Sequence, residues 1–490
     1  MRDHKPIVIE EFNGFWKRGD ADSTPLDHFS NCDNIQFIQS GFKTRDGVDT
    51  YLAYSNVLRI YTFIQETGQS LLVLTEGGSI YDTGSPTPSV PILIVSGMTD
   101  FGYVSISGRA YLTPSDGGVG LENEFVYVYA GDGTPARKAA GVAPVDADGA
   151  LAAANSATAG FVEAGVHIFG VVYETDTGFL TSIGPDTLAV LTVPGSKKVD
   201  LTNIPVSPNS YVTKVHIVAT KAISTTFYTG NPDGYQFFFV PGAVVNNGIT
   251  TLTVSFFDAD LLADASHLQD LFEEIPAQVG LGTYHGRMIG WASFEDISVV
   301  RVSFPGEPEA ISQIDGLLIV PLDGTPLTNA QEFRDVLYVY KQIRTFAYSD
   351  NGDVPSSWLI TILDQGIGAS VHGVGTVLDS GGVNVDFLII VDYSGIMLFN
   401  GAYIRPELSW KIKDYWLAID RDKFKDIQII NDSITQIIYI TLPDFHMLIG
   451  DYSNGLDPKN IRWTKWTFDF RVKTITLIET NTLIIGSSGS

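Results

Sequence analysis

One cysteine, Cys32, in 490 residues leaves no partner for an internal disulfide and no basis for a cysteine-built zinc cage. It reads as a small buried hydrophobe. Positive charge is scarce too: Lys and Arg number 30 against 56 Asp and Glu, a net charge of −26. A surface that grips nucleic-acid phosphate needs clustered cations to displace counterions, so that class is disfavoured, and the acidic excess reads as a surface that keeps a large chain soluble. No apolar run approaches the ~18 residues of a membrane helix, and no apolar leader follows the basic start MRDHKP. The expectation is a chain that is neither exported nor inserted in a bilayer.

Catalytic signatures are missing as well. There is no Gly-x-Ser-x-Gly elbow, no His-Glu-x-x-His, no phosphate loop ending in Lys-Ser/Thr and no dinucleotide fingerprint. The histidines, among them His4, His28, His167, His267, His285, His372 and His446, are too widely spaced for a local metal motif. The sequence therefore nominates no catalytic, cofactor-binding or metal-binding residue, and no cofactor; the expectation is a chain that is not an enzyme.

What the sequence has in abundance is glycine (48), tyrosine (21) and phenylalanine (28), with Val, Ile and Thr throughout, a composition that favours strands joined by tight turns. Residues 387–401, FLIIVDYSGIMLFNG, hold five apolar residues in a row, a polar turn closing on Gly395 and a second apolar run. They predict a buried hairpin. Residues 71–84, LLVLTEGGSIYDTG, repeat that frame, with Gly78 and Gly84 spaced as Gly395 and Gly401 are. A sheet unit used at least twice, with strands recurring at blade-like spacing towards the C-terminus, predicts a β-propeller.

Length alone predicts two or three domains. Composition shifts at residues 141–160, where Ala, Gly and Asp crowd without alternation, which reads as a linker; Asp146 and Asp148 there read as a turn, not a calcium loop. Residues 161–262 then carry six or seven short strands with regular turns, the pattern of a β-sandwich. The expected fold class is all-β: a β-propeller, residues 1–140 and 263–490, interrupted by an inserted immunoglobulin/fibronectin type III-like β-sandwich over 161–262.

Several residues invite a chemical reading. Asp350, Asp353 and Asp392 could supply the paired carboxylates of a glycosidase, but all three lie in Asn/Gly-rich turns, where Asp caps the backbone. Residues 349–358, SDNGDVPSSW, are only superficially like the Asp-box of sialidase blades. Trp410, Trp416, Trp463 and Trp466 could stack on sugars or anchor a partner; the plainer reading is that they fill gaps between blades. Arg18-Gly19-Asp20 reads as a polar turn.

The stretches FSNCDNIQFIQSGFKTRDG (29–47), RVSFPGEPEAI (301–311), the run from 333 to 358, Gly366-Ile-Gly-Ala369, SGIMLFNG (394–401) and WTKWTF (463–468) together resemble the β-propeller proteins of tailed-bacteriophage tails, in particular the tail nozzle, or tail tubular protein B-like, family of short-tailed phages. The resemblance implies a structural virion protein: a homohexameric ring in the tail, assembled in the host cytoplasm. Its partners would be a head-to-tail adaptor, tail fibre or spike proteins and needle or tip proteins. It also implies non-specific passage of double-stranded DNA during ejection through an acidic lumen. The alternative class is a glycan-binding or glycan-cleaving propeller acting as a receptor-binding component.

Overall fold

The computed structural model describes residues 33–38, 41–45, 47–52, 54–65, 68–228, 230, 234–269, 272–320, 323–378, 385–478 and 482–488. Cys32 and the 18–20 tripeptide lie outside them. The chain divides into two compact units, one comprising 1–137, 276–301 and 318–490, the other 138–275 and 302–317. Among the described residues, no helix is long and apolar enough to cross a membrane.

Among the described residues, the first unit is built from six four-stranded antiparallel sheets, each a meander of consecutive strands, and two two-stranded ones. The first blade runs Val57–Gln65, Gly68–Thr75, Ser79–Asp82 and Leu93–Ile94, and the fifth runs Val374–Leu378, Val385–Asp392, Gly395–Phe399 and Tyr403–Ile404. Between them come blades opening with Asp100–Ile106, Gln278–Tyr284 and Leu327–Phe333; after them come a sixth opening with Ile429–Asp432 and a seventh with Arg471–Ile478 and Thr482–Ser488 as its described strands. A single cavity is lined by Tyr61, Gly102, Gly280, Ala330, Val374, Ile429 and Thr476, one residue from the opening strand of each sheet. Seven opening strands around one cavity make the unit a β-propeller, as expected from the sequence.

The packing explains the uninterrupted apolar runs. In the second strand of the fifth blade, Leu388 and Ile390 pack on Phe333 and Tyr340 of the fourth, while Ile389 and Val391 pack on Ile438 and Ile440 of the sixth. Successive side chains point to opposite faces of a strand, and a blade buries both faces, so alternation disappears. The first blade repeats this: Leu72 and Leu74 join a cluster with Phe101 and Leu112 of the second, and Leu71 and Val73 join Ile484 of the seventh. Residues 71–84 and 387–401 thus hold the same place, second and third strands of a blade. The turn between those two strands in the first blade needs positive φ at glycine: Gly77 and Gly78 have φ of 99° and 80°.

The second unit is a seven-stranded sandwich. Ala152–Val162, Lys197–Thr202 and Thr251–Val254 form one sheet; Gly184–Val193, Gly165–Thr175, Val212–Ala219 and Phe238–Asn246 form the other. One core, with Phe169, Val171, Val199, Leu201, Val215, Ile217, Val240 and Val254, joins the layers. The sandwich expectation holds at the level of two layers; the order within each layer differs from the immunoglobulin division, in which the first, second and fifth strands share a sheet.

Its boundaries differ from those read in the sequence. Residues 141–160 are not a linker throughout, because Ala152–Val162 is an eleven-residue strand paired with Lys197–Thr202. It is mostly exposed and rich in Ala, Ser and Thr, so backbone pairing rather than apolar alternation defines it. The far end extends too: Ala265 N–H donates to Phe237 O at 2.8 Å, and Phe272 packs edge-on against Phe179 and Phe304. Residues 263–275 and 302–317, expected in the propeller, belong to the sandwich unit.

Candidate functional site

The axial cavity, about 400 Å³, ends against a buried polar network that converges from five blades. Arg59, on the opening strand of the first, donates through Nε to Asp100 Oδ1 at 2.7 Å and through Nη2 to Oδ2 at 3.0 Å, a bidentate pair with both partners buried. His372, just before the fifth blade, donates through Nε2 to the same Oδ2. Gln428, just before the sixth, accepts at Oε1 from Arg59 Nη1 (3.1 Å), Thr474 Oγ1 (3.0 Å) and Ile475 N–H (3.0 Å). Its amide nitrogen donates to Ile475 O at 2.9 Å.

The electrostatics follow from this wiring. Burial alone would push the Asp100 carboxyl up, but Arg59 and His372 outweigh it and hold it well below the usual carboxylate range. Burial, with the Arg59 guanidinium beside it, holds His372 below the ordinary histidine value against the opposing pull of Asp100. Asp100 spends both oxygens on Arg59 and His372 and also accepts from Phe101 N–H. The arrangement fixes neighbouring blades to one another. Ring closure uses the same chemistry: Ile60 N–H donates to Thr474 Oγ1 at 3.1 Å, and the hydroxyls of Thr62 and Thr476 stand 2.8 Å apart.

The carboxylates weighed in the sequence lie apart in role. Asp350 Oδ1 accepts Gly352 N–H at 2.8 Å, and the Asp353 carbonyl accepts Trp358 Nε1–H at 3.0 Å. Asp392 is buried; its carboxylate accepts from Ser394 N–H and Oγ–H and from Gly368 N–H, and burial pushes its pKa up against those bonds. The carboxylates of Asp350 and Asp392 serve turns, and Asp353 does so through its backbone. Asp146 receives Thr187 N–H and Oγ–H and Asp148 receives Tyr173 Oη–H at 3.2 Å, so this pair ties the sandwich together. Trp416 and Trp463 are fully buried and donate to Asp392 O and Leu408 O; Trp466 donates to Ile35 O. Trp416 and Trp463 fill the propeller, as the plainer reading had it; Trp410 and Trp466 are half-buried.

Sequence reasoning missed two groupings, Arg59–Asp100–His372–Gln428 and His285–Glu332–Asp335, because each joins residues from different blades. In the second, donor atoms of the three side chains lie within 4.8 Å of one another. The signal that could have located it is the His-Gly turn at 285–286 and the Arg-Asp turn at 334–335. Each is a two-residue hairpin loop with positive φ at both positions, and the two occupy equivalent places in the third and fourth blades.

No family model matches the chain, and no curated protein does. Among solved structures it is similar to the computationally designed protein Ika8, with 8% identity over 89% of this chain and 94% of that one and a TM-score of 0.34. It is also similar to the WD40 β-propeller domain of Doa1, with 10% identity over 68% and 92% of the two chains and a TM-score of 0.27. At these scores neither likeness bears on activity or family, and the propeller stands on its own sheets.

Proposed function

We propose that this chain is a structural ring component of a short-tailed phage tail, a nozzle-like conduit and docking platform without catalytic activity. The observation that carries the reading is the axial network: Arg59, Asp100 and His372, beside the cavity, are taken up in holding the blades together. Of the stretches that resemble the nozzle family, 333–358 takes in the second and third strands of the fourth blade, 394–401 the third strand of the fifth, and 463–468 most of the last strand of the sixth, whereas 302–311 falls in the sandwich unit.

DNA would pass through a lumen enclosed by several copies, with the propellers outside it. The net charge of −26 suits such a lumen, since like charge keeps the duplex from adhering; at physiological salt the repulsion acts within about 8 Å of the wall. Adaptor, fibre and tip proteins would dock on the ring, which would work in the virion tail.

The test is assembly. Light scattering and negative-stain imaging of the purified chain mixed with its adaptor should show closed rings, six copies each. A chain that stays monomeric and never joins a tail overturns the reading.

A further inference from the structure

We propose that His285, Glu332 and Asp335 form a surface site for a zinc-class divalent cation, bridging the hairpin turns of the third and fourth blades. This is independent of the ring reading. Three donor atoms converge: His285 Nε2 stands 3.7 Å from Glu332 Oε1 and 3.7 Å from Asp335 Oδ1. Both separations are too long for hydrogen bonds and suit ligands sharing one ion. A centre about 2.1–2.4 Å from all three atoms satisfies them, at or just above zinc–ligand lengths.

The surroundings favour this use of each atom. Glu332 Oε2 is taken by the His285 N–H at 3.2 Å, which orients the carboxylate with Oε1 outward. The other imidazole nitrogen, Nδ1, faces Asp350 Oδ2 at 3.8 Å, too long for a hydrogen bond, so this carboxylate adds negative charge beside the imidazole without fixing its orientation. The ring is stacked on Tyr284, centroids 4.2 Å apart, and the Tyr284 hydroxyl donates to Asp335 O at 3.1 Å and accepts Asp350 N–H at 3.3 Å. One aromatic platform thus positions all three loops. Three carboxylates surround a single imidazole, while the adjacent Arg334 donates to the carbonyls of Asp386 and Asn400 in the fifth blade.

The donor set decides the metal class. Calcium and magnesium favour oxygen-only cages, whereas an imidazole with two carboxylates suits zinc and its neighbours. Three protein ligands on an exposed turn leave a coordination position for water or for a group from another molecule.

Calorimetric titration of the full chain, stripped with chelator, should show one saturable Zn²⁺ site and no comparable Ca²⁺ site. His285→Asn, chosen because Asn tolerates the left-handed backbone at this position, and Glu332→Gln should each weaken Zn²⁺ binding at least tenfold. Asp350→Asn, which removes a nearby charge but no ligand, should weaken it less than either ligand change, and Asp353→Asn should leave it unchanged. Melting temperatures in chelator equal to the parent's confirm folding. In the parent chain itself, diethyl pyrocarbonate labelling of His285 should fall when zinc is present. Absence of saturable uptake, uptake that survives His285→Asn, or labelling of His285 indifferent to zinc each overturns the site.

Discussion

Arg59 and Asp100 are the residues on which the propeller's electrostatics turn. Each is buried, and a buried ion pair broken on one side leaves an uncompensated charge, a cost of about 3–5 kcal/mol. Asp100→Asn is expected to lower unfolding free energy by that order, measured by denaturant titration. The pH dependence has a definite sign. Asp100 has a depressed folded value, so its stabilisation is complete above the unfolded value of about 4 and is lost as pH falls from there towards the folded one. His372 is also depressed; the unfolded chain takes up its proton first, so stability falls as pH drops below about 6.5. Acid should therefore weaken the parent in two windows, and Asp100→Asn should flatten the lower one. A variant with the parent's slope below pH 4 would show that Asp100 is not the group responsible. None of this was legible in the sequence, where Arg59, Asp100, His372 and Gln428 are separated by 41 to 369 positions.

Single strands, by contrast, were largely readable. The apolar runs at 71–74 and 387–391 pointed to buried hairpins because both faces of a blade are covered. Ala152–Val162 was not readable, since an exposed edge strand made of small polar residues carries no period-two signal. Close strand contacts were also invisible. Gly450 lies directly across from Trp463 in the sixth blade, as Gly280 lies across from Trp291 in the third; in both pairs the indole covers the glycine. A Cβ on Gly450 would stand 2.7 Å from Trp463 Cζ3 and 3.0 Å from Ile461 Cδ1. Gly450→Ala should cost about 1–3 kcal/mol by overpacking, seen as a lower denaturation midpoint at unchanged slope. Shortening the ring in Gly450→Ala/Trp463→Phe should recover part of it, giving a less than additive double mutant; strict additivity would mean that the indole is not the obstacle.

At the scale of the chain, the two-unit organisation was visible in outline as a sandwich within a propeller, but its second excursion was not. The sandwich unit takes 138–275 and then reclaims 302–317, because the returning segment completes it. Glu309, buried, accepts the Ala140 N–H at 2.6 Å; Ser312 bridges Phe272; and Phe304 packs against the Phe272 ring at 5.8 Å. Residues 161–262 alone would lack most of the Ala152–Val162 edge and the core residue Leu151, and would expose apolar surface on Lys197–Thr202. That fragment is expected to aggregate or to melt without cooperativity. Residues 138–275 joined through a short flexible linker to 302–317 regain the strand, the Glu309 contact and the aromatic pair, and should unfold in one cooperative thermal transition with dispersed amide resonances. Cooperative unfolding of 161–262 on its own would place the folding information within the sequence-read boundaries and make the returning segment dispensable. Loss of cooperativity in the two-segment chain after Glu309→Ala would instead locate part of that information in a single carboxylate contributed from the second excursion. Leaving the Ala140 N–H buried without an acceptor costs about 1–3 kcal/mol, a large share of the stability of a domain of this size.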